Sequence, residues 1–395
     1  MDEKPEIIFF AEHKLGGVQN FYYNLIRYSQ LQFDIKWILI ENRNSDDAKP
    51  VIPFNFQHEV FIIYKNETQY EYSKRLSRLV SDRPGAVVTN FSSELYMLHL
   101  YRKRKTIYFI CHDELYLENA KRFEFLIDKY IAHNPYYFEE LRRMMPGRAN
   151  DVHYFPFGIE LKSERRQTNF DRTLHLLFLA RLDKKKGIYD LLEIDRALFR
   201  NGIQVQWTVI GNGPERINFE NQIKNNSRFK VYSNLTDEEV STMLRYHDIF
   251  VLPSLLDGVP LAMLETMAAG LVPIIYRFNP GIVKIFPTEA ITVDPGDTDG
   301  MVNYIQKFER NRNLLESYSI ACSQVIKARF NLEERNRQYF GFFSAYRSHK
   351  KPVRRKIIAY GGLLNNPLVP PFLRNAVRTI KNILKFGIRR KAVLL

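Results

Sequence analysis

The chain has 395 residues, which at ~150 residues per domain gives two domains and a remainder. Hydrophobic residues at 45%, charged residues at 26%, and 18 Gly with 18 Pro exclude collagen-like, low-complexity or largely disordered character. Two cysteines, Cys111 and Cys322, exclude a disulfide framework or a cysteine-rich zinc site and suit a reducing compartment. The net charge of +14 is unevenly placed: thirteen of the 58 Lys and Arg lie from Tyr346 onward, where there is no acid, leaving 45 basic against 44 acidic groups in the body.

The first apolar run, Ile7–Ala11, is cut short by Glu12, His13 and Lys14, too short for a signal-peptide core. No stretch of ~18 apolar residues is present to cross a bilayer as a simple helix. Further strand-like runs follow at Ile35–Ile40, Val60–Tyr64, Ala86–Asn90, Thr106–Cys111 and Lys129–His133. Helical stretches such as Gly17–Ser29 and Tyr70–Val80 lie between them. Near-continuous apolar strands alternating with helices predict a parallel α/β sheet covered on both faces. The pattern closes around Tyr154–Gly158, and the polar stretch Glu160–Arg172 reads as a linker.

The pattern then restarts at Leu174–Ala180, Val205–Ile210, Lys230–Tyr232, Ile249–Leu252, Pro273–Tyr276 and Ala290–Val293. The expected fold class is therefore α/β, with two Rossmann-like doubly wound domains. Its parts are residues 1–160, a linker at 161–172, a second domain at 173–330, a returning helix at 331–346 and a basic amphipathic tail at 347–395. Ligands of such sheets bind at the carboxyl ends of the strands.

Several turns at those ends carry candidate chemistry. After the first strand, Leu15-Gly16-Gly17-Val18-Gln19-Asn20 fits either an ordinary tight turn or a backbone approach to an anion at a helix start. His112-Asp113-Glu114 follows TIYFIC, where a His can act as acid, base or donor, or be structural. After the first strand of the second domain, Arg181 directly follows LLFLA and leads into Leu182-Asp183-Lys184-Lys185-Lys186-Gly187. Arg grips phosphate in a fork and Lys supplies a compact charge; Lys184 and Lys185 also fit a solvated basic turn. Val209-Ile210-Gly211-Asn212-Gly213-Pro214-Glu215 is a glycine turn suited to a nucleotide or to local conformation alone. In PSLLDGVPLAMLETMAAG, Pro260 is expected at the first helical position, with Gly258 and Val259 before it. Glu265 lies among Leu, Ala and Met, where an acid needs a partner. No His/Cys cluster has metal-ligand spacing.

Together these turns resemble the retaining glycosyltransferases of family four, with the GT-B fold. The resemblance covers roughly residues 6–345 and is strongest in ARLDKKKG, VIGNGPE and PSLLDGVPLAMLETMAAG. The last motif holds two acids, Asp257 and Glu265, separated by seven residues as in that family. The resemblance implies a retaining, metal-independent hexosyltransferase-type enzyme without a cofactor. A nucleotide-sugar would sit on the second domain and a glycan or lipid-linked acceptor on the first. The setting would be envelope or surface polysaccharide synthesis in the cytoplasm. Arg181 and Lys186 match the pair that neutralises the departing diphosphate. Asp257 and the backbone of Gly258, Val259, Pro260 and Leu261 match the group holding the donor sugar, and His112 a residue beside it. Glu265 matches the acid on the ribose hydroxyls, and Gly16 and Gly17 the loop near the diphosphate. Two departures stand out. Asp257 occupies a place usually taken by Glu. Phe278-Asn279-Pro280-Gly281-Ile282-Val283-Lys284 replaces a usual Gly pair followed by Glu. A non-catalytic scaffold binding nucleotide-sugar or glycan within a larger assembly is the alternative.

In the tail, Leu373, Ala376, Val377, Ile380, Ile383 and Leu384 form one helical stripe and Arg374, Arg378, Lys381 and Lys385 another. Two readings stand: docking on an anionic membrane surface at the inner face of the cell membrane, or packing back on the first domain. The neutral body and the few aromatics of the last helix argue against nucleic acid.

Overall fold

Strands of nearly continuous Ile, Val, Leu and Phe are buried on both faces, and they build two parallel sheets. The computed structural model describes residues 4–13, 16–27, 33–43, 57–65, 67–161, 166, 173–286, 288–346, 372–373 and 376–377. The first sheet contains β1 (Glu6–Glu12), β2 (Asp34–Asn42), β3 (Glu59–Ile63), β4 (Gly85–Thr89), β5 (Lys105–Cys111), β6 (Lys129–Ala132) and β7 (Val152–Tyr154). Its order is β3-β2-β1-β4-β5-β6-β7. The second contains β8 (Leu174–Leu179), β9 (Val205–Ile210), β10 (Phe229–Tyr232), β11 (Ile249–Leu252), β12 (Val272–Tyr276) and β13 (Ile291–Val293), in the order β10-β9-β8-β11-β12-β13. Both are doubly wound: the strand order reverses at β1/β4 and at β8/β11.

Two compact units divide the chain. The first takes Met1–Ile110, Glu118–Tyr130 and the residues from Phe340; the second takes Cys111–Leu117 and Ile131–Tyr339. This division does not fall at residues 161–172. Residues 111–117 and 131–160 group with the second sheet because the turns after β5 and β6 are fastened to its loops, as described below.

In the first unit, Phe9 of β1 is in register with Trp37 of β2 and Val88 of β4, all fully buried. The helix Gly17–Arg27 covers this sheet with Phe21, Tyr22, Leu25 and Ile26 at helical spacing, and the Tyr22 ring stands 5.6 Å from Phe9. The end of the helix Leu332–Ser344 packs here: Phe343 meets Phe9 and Tyr108 edge-on, and the Tyr108 hydroxyl donates to the Phe342 carbonyl at 3.0 Å. The basic tail lies outside the described residues apart from four positions. Among the described residues no helix is long and apolar enough to cross a membrane.

In the second unit, Arg166 comes from the stretch read as a linker, yet its side chain is buried. It donates to Asp248 at 2.8 Å, Glu316 at 2.7 Å and the Ser319 hydroxyl at 3.1 Å, while its backbone N–H donates to the Ala269 carbonyl at 2.7 Å. Asp248, also buried, accepts a second bond from the His175 N–H at 2.9 Å. Removing one member of a buried pair leaves an uncompensated charge. Arg166→Ala is therefore expected to destabilise the second unit by about 3 kcal/mol, read as a lower denaturant midpoint. An unchanged midpoint would show that Asp248 does not depend on Arg166.

Candidate active site

Three loops meet at the switch point of the second sheet, and backbone bonds stitch them together. The loop after β8 runs from Ala180 to Gly187, with Lys184–Lys186 forming one 3-10 turn capped by the Asp183 carboxylate. The loop after β9 lies against it: Leu182 N–H donates to the Asn212 carbonyl at 3.0 Å and Glu215 N–H to the Leu182 carbonyl at 3.1 Å. Gly211 belongs here, its Cα facing the Ala180 carbonyl so closely that a Cβ would stand 2.0 Å from the oxygen. The loop after β11 closes the group, since Leu255 N–H donates to the Lys185 carbonyl at 2.8 Å. Gly187 has φ +72°, and a Cβ there would lie 2.0 Å from the Pro253 oxygen, so the junction takes glycine for both conformation and space.

This stitching brings Lys186 to Asp257. The ammonium lies 2.5 Å from Asp257 Oδ2, while Oδ1 of the same carboxylate accepts the Gly258 N–H at 3.1 Å. Arg181 starts the same β8 loop, half-exposed, with its Nε 3.9 Å from Asp183. Gly258, Val259, Pro260 and Leu261 are buried and lead into the helix Leu261–Ala268. Pro260 is not the first helical residue: its ψ of 119° makes it the N-cap, and the helix starts one residue later at Leu261. Glu265 is half-buried on that helix.

The turn after β5 joins the same place. Gly258 sits against the His112 carbonyl, where a Cβ would be 2.0 Å from the oxygen and 3.6 Å from Asp113 Cβ. The His112 side chain is buried beside His133, with ring centroids 5.0 Å apart. Burial, reinforced by His133, holds its imidazole well below the usual value and therefore neutral at pH 7. Asp113 was not among the residues singled out from the sequence for a role. Burial pushes its carboxyl up, and Asp257 adds to the rise; the Leu115 N–H and Lys186 oppose it. Two carboxylates thus face one ammonium.

Two further residues emerge only in three dimensions. Asn134 caps the helix Pro135–Met144 by accepting the Tyr136 N–H at 2.8 Å, and Asn279 caps the helix Pro280–Ile285 by accepting the Ile282 N–H at 3.1 Å. Their side chains also bond each other at 2.9 Å, and both donate to the Gly258 carbonyl, at 3.0 and 2.9 Å. The shared signal in the sequence is the Asn-Pro pair, a cap followed by a first-turn proline.

Of the residues expected from the sequence, the second unit thus gathers Lys186, Asp257, Gly258 and the His112 backbone by direct contact, and carries Arg181, Gly211, Val259, Pro260, Leu261 and Glu265 on the same loops and helix. Gly16 and Gly17 belong to the first unit, at the start of the helix Gly17–Arg27. A groove of about 690 Å³ on another flank of the second unit, lined by Lys184, Tyr189, Glu193, Arg196 and Glu215 among others, includes none of the expected site residues.

Residues 161–323 match the model of the family described as "Glycosyl transferases group 1". The 2-deoxystreptamine N-acetyl-D-glucosaminyltransferase of Niallia circulans is 30% identical over 160 residues, 39% of this chain and 41% of that protein. The putative colanic acid biosynthesis glycosyltransferase WcaL of Salmonella typhimurium is 27% identical over 183 residues, 42% of this chain and 43% of that protein. The chain thus spans about two-fifths of the length of these curated relatives. Among solved structures, Anabaena HepE in complex with UDP and glucose superposes with a TM-score of 0.70 at 13% identity, covering 86% of this chain and 99% of that one. Sucrose-phosphate synthase of Thermosynechococcus elongatus gives 0.68 at 17% identity, covering 86% and 98%. The fold is GT-B, as the family resemblance led us to expect.

Proposed function

We propose that this chain, whose residues 161–323 match the model of the glycosyl transferases group 1 family, moves a sugar from a nucleoside-diphosphate sugar to a glycan or lipid-linked acceptor with retention of configuration. The observation that carries this reading is the Lys186 ammonium, 2.5 Å from Asp257, on loops at the switch point of the second sheet. As the bond from the anomeric carbon to the diphosphate oxygen breaks, negative charge grows on the leaving group. Fixed cations contribute most where charge develops, and Arg181 and Lys186 both lie on the loop where the diphosphate would lie. Arg181 offers a fork and Lys186 a point charge. Asp257 and the backbone from Gly258 to Leu261 hold the sugar, the neutral His112 stands beside it, and Glu265 takes the ribose hydroxyls. The names of the relatives support the substrate class and a role in surface polysaccharide synthesis: WcaL is named for colanic acid biosynthesis, and HepE was solved with UDP and glucose.

A panel of nucleotide-sugars and nucleoside diphosphates, screened by thermal unfolding, tests the reading. A ligand at a hundred times its Kd adds about 2.7 kcal/mol to the native state, so one nucleotide class is expected to raise the Tm clearly above the others. A flat response across the panel would remove the donor site from this reading.

A further inference from the structure

We propose that Asn134 and Asn279 are positioning residues that hold the Gly258 N–H on the Asp257 carboxylate and turn the Val259 N–H toward the donor, a role that rests on the nucleotide-sugar reading above. The hydrogen-bond account of the pair closes. Asn134 Nδ2 donates to the Gly258 carbonyl at 3.0 Å and to Asn279 Oδ1 at 2.9 Å, and its Oδ1 accepts the Tyr136 N–H. Asn279 Nδ2 donates to the carbonyls of Asp257 and Gly258, both at 2.9 Å, and its Oδ1 accepts from Ile282 and Asn134. Both side chains are almost wholly buried, and a fully satisfied buried network of this kind is rigid. It also leaves no room for change nearby, because a Cβ on Gly281 would fall 1.6 Å from Asn134 Oδ1.

The consequence follows from peptide planarity. In a trans peptide the N–H points opposite to the C=O, and there is no cis peptide among the described residues. The Asp257 and Gly258 carbonyls both point to Asn279, so the Gly258 and Val259 N–H groups both point away from it. The Gly258 N–H shows which way that is: it meets Asp257 Oδ1, and the other oxygen of that carboxylate meets Lys186. Successive N–H groups turned to one side make a concavity for anionic or electronegative oxygens. Asn134 and Asn279 therefore aim two backbone donors at the Lys186 side, without themselves touching donor.

Serine separates this role from helix capping, because Ser still accepts the first-turn N–H bond but is too short to hold the carbonyls. In Asn279→Ser, and to a smaller extent in Asn134→Ser, amide exchange across residues 253–262 is expected to rise while the helices Pro135–Met144 and Pro280–Ile285 keep their protection. The kcat for the nucleotide-sugar identified by the panel is expected to fall about a hundredfold in Asn279→Ser, the size of loss produced by ångström-scale misplacement. Unchanged exchange in both variants overturns the proposal, and so does faster exchange with wild-type kcat. If Asn279→Ser fails to fold, Asn134→Ser decides, since it removes only one of the two bonds to Gly258. A wild type that turns over no nucleotide-sugar sinks the functional reading and the donor-facing part of this one, while the exchange result still decides whether the pair anchors the loop.

Discussion

Lys186→Ala is expected to reduce sugar transfer by about a thousandfold while the far-ultraviolet spectrum and melting temperature stay near wild type. The side chain is partly exposed, at 26%, and its contact with Asp257 stands at the mouth of the loops, so water can solvate Asp257 once the ammonium is gone. The fold therefore loses little. On the proposed function, the reaction loses a cation placed where the diphosphate would take up charge, and a single well-placed donor of that kind is worth about 3 kcal/mol or more in the transition state. The decline should fall on kcat, because charge on the leaving group is larger in the transition state than in the bound donor. Initial rates with saturating donor check this. Retention of a tenth or more of wild-type kcat would take Lys186 out of the chemistry.

The second large effect comes from adding one methyl group. In Gly258→Ala the new Cβ would stand 2.0 Å from the His112 carbonyl oxygen, a backbone atom that cannot swing aside as a side-chain end could. The loop must then withdraw from the turn after β5. Withdrawal strains the Asn134 and Asn279 bonds to the Gly258 carbonyl, which are already at 2.9 to 3.0 Å. Overpacking of this type typically costs about 1–3 kcal/mol in stability. The larger effect is on activity, where displacing Asp257 by about an ångström is expected to lower kcat/KM about a hundredfold. Gly147→Ala is the control, since a Cβ there meets nothing within 4 Å. Equal activity of the two variants would show that the His112–Gly258 approach is not needed.

How much of this was legible in the chain depends on the distance over which each residue acts. Strands such as Val205–Ile210 and Ile249–Leu252 were bounded correctly because strands buried on both faces are written as unbroken apolar runs. Val152–Tyr154 was missed as a strand, being three residues long with a His at its centre. Pro260 was placed one residue too far into its helix, because proline fixes φ but not ψ, and here ψ is extended. Lys186 and Asp257 could be nominated from their turns and from the family resemblance. The roles of Asn134 and Asn279 could not, since each looks like an ordinary helix cap until Gly258 is placed between them. Arg166 was read as part of a polar linker for the same reason: its partners Asp248, Glu316 and Ser319 are 82, 150 and 153 residues away.

On the proposed function, the contact between Lys186 and Asp257 has a bearing on how firmly spent nucleotide can be retained. The ammonium already has an internal counter-ion, so a phosphate oxygen approaching it competes with a tethered carboxylate instead of simply leaving water behind. Attraction to the incoming molecule is the difference between two anions' claims on one cation, and so is weaker than a lone ammonium's would be. In such a transferase the tethered carboxylate would loosen the hold on the departing diphosphate and so favour its release.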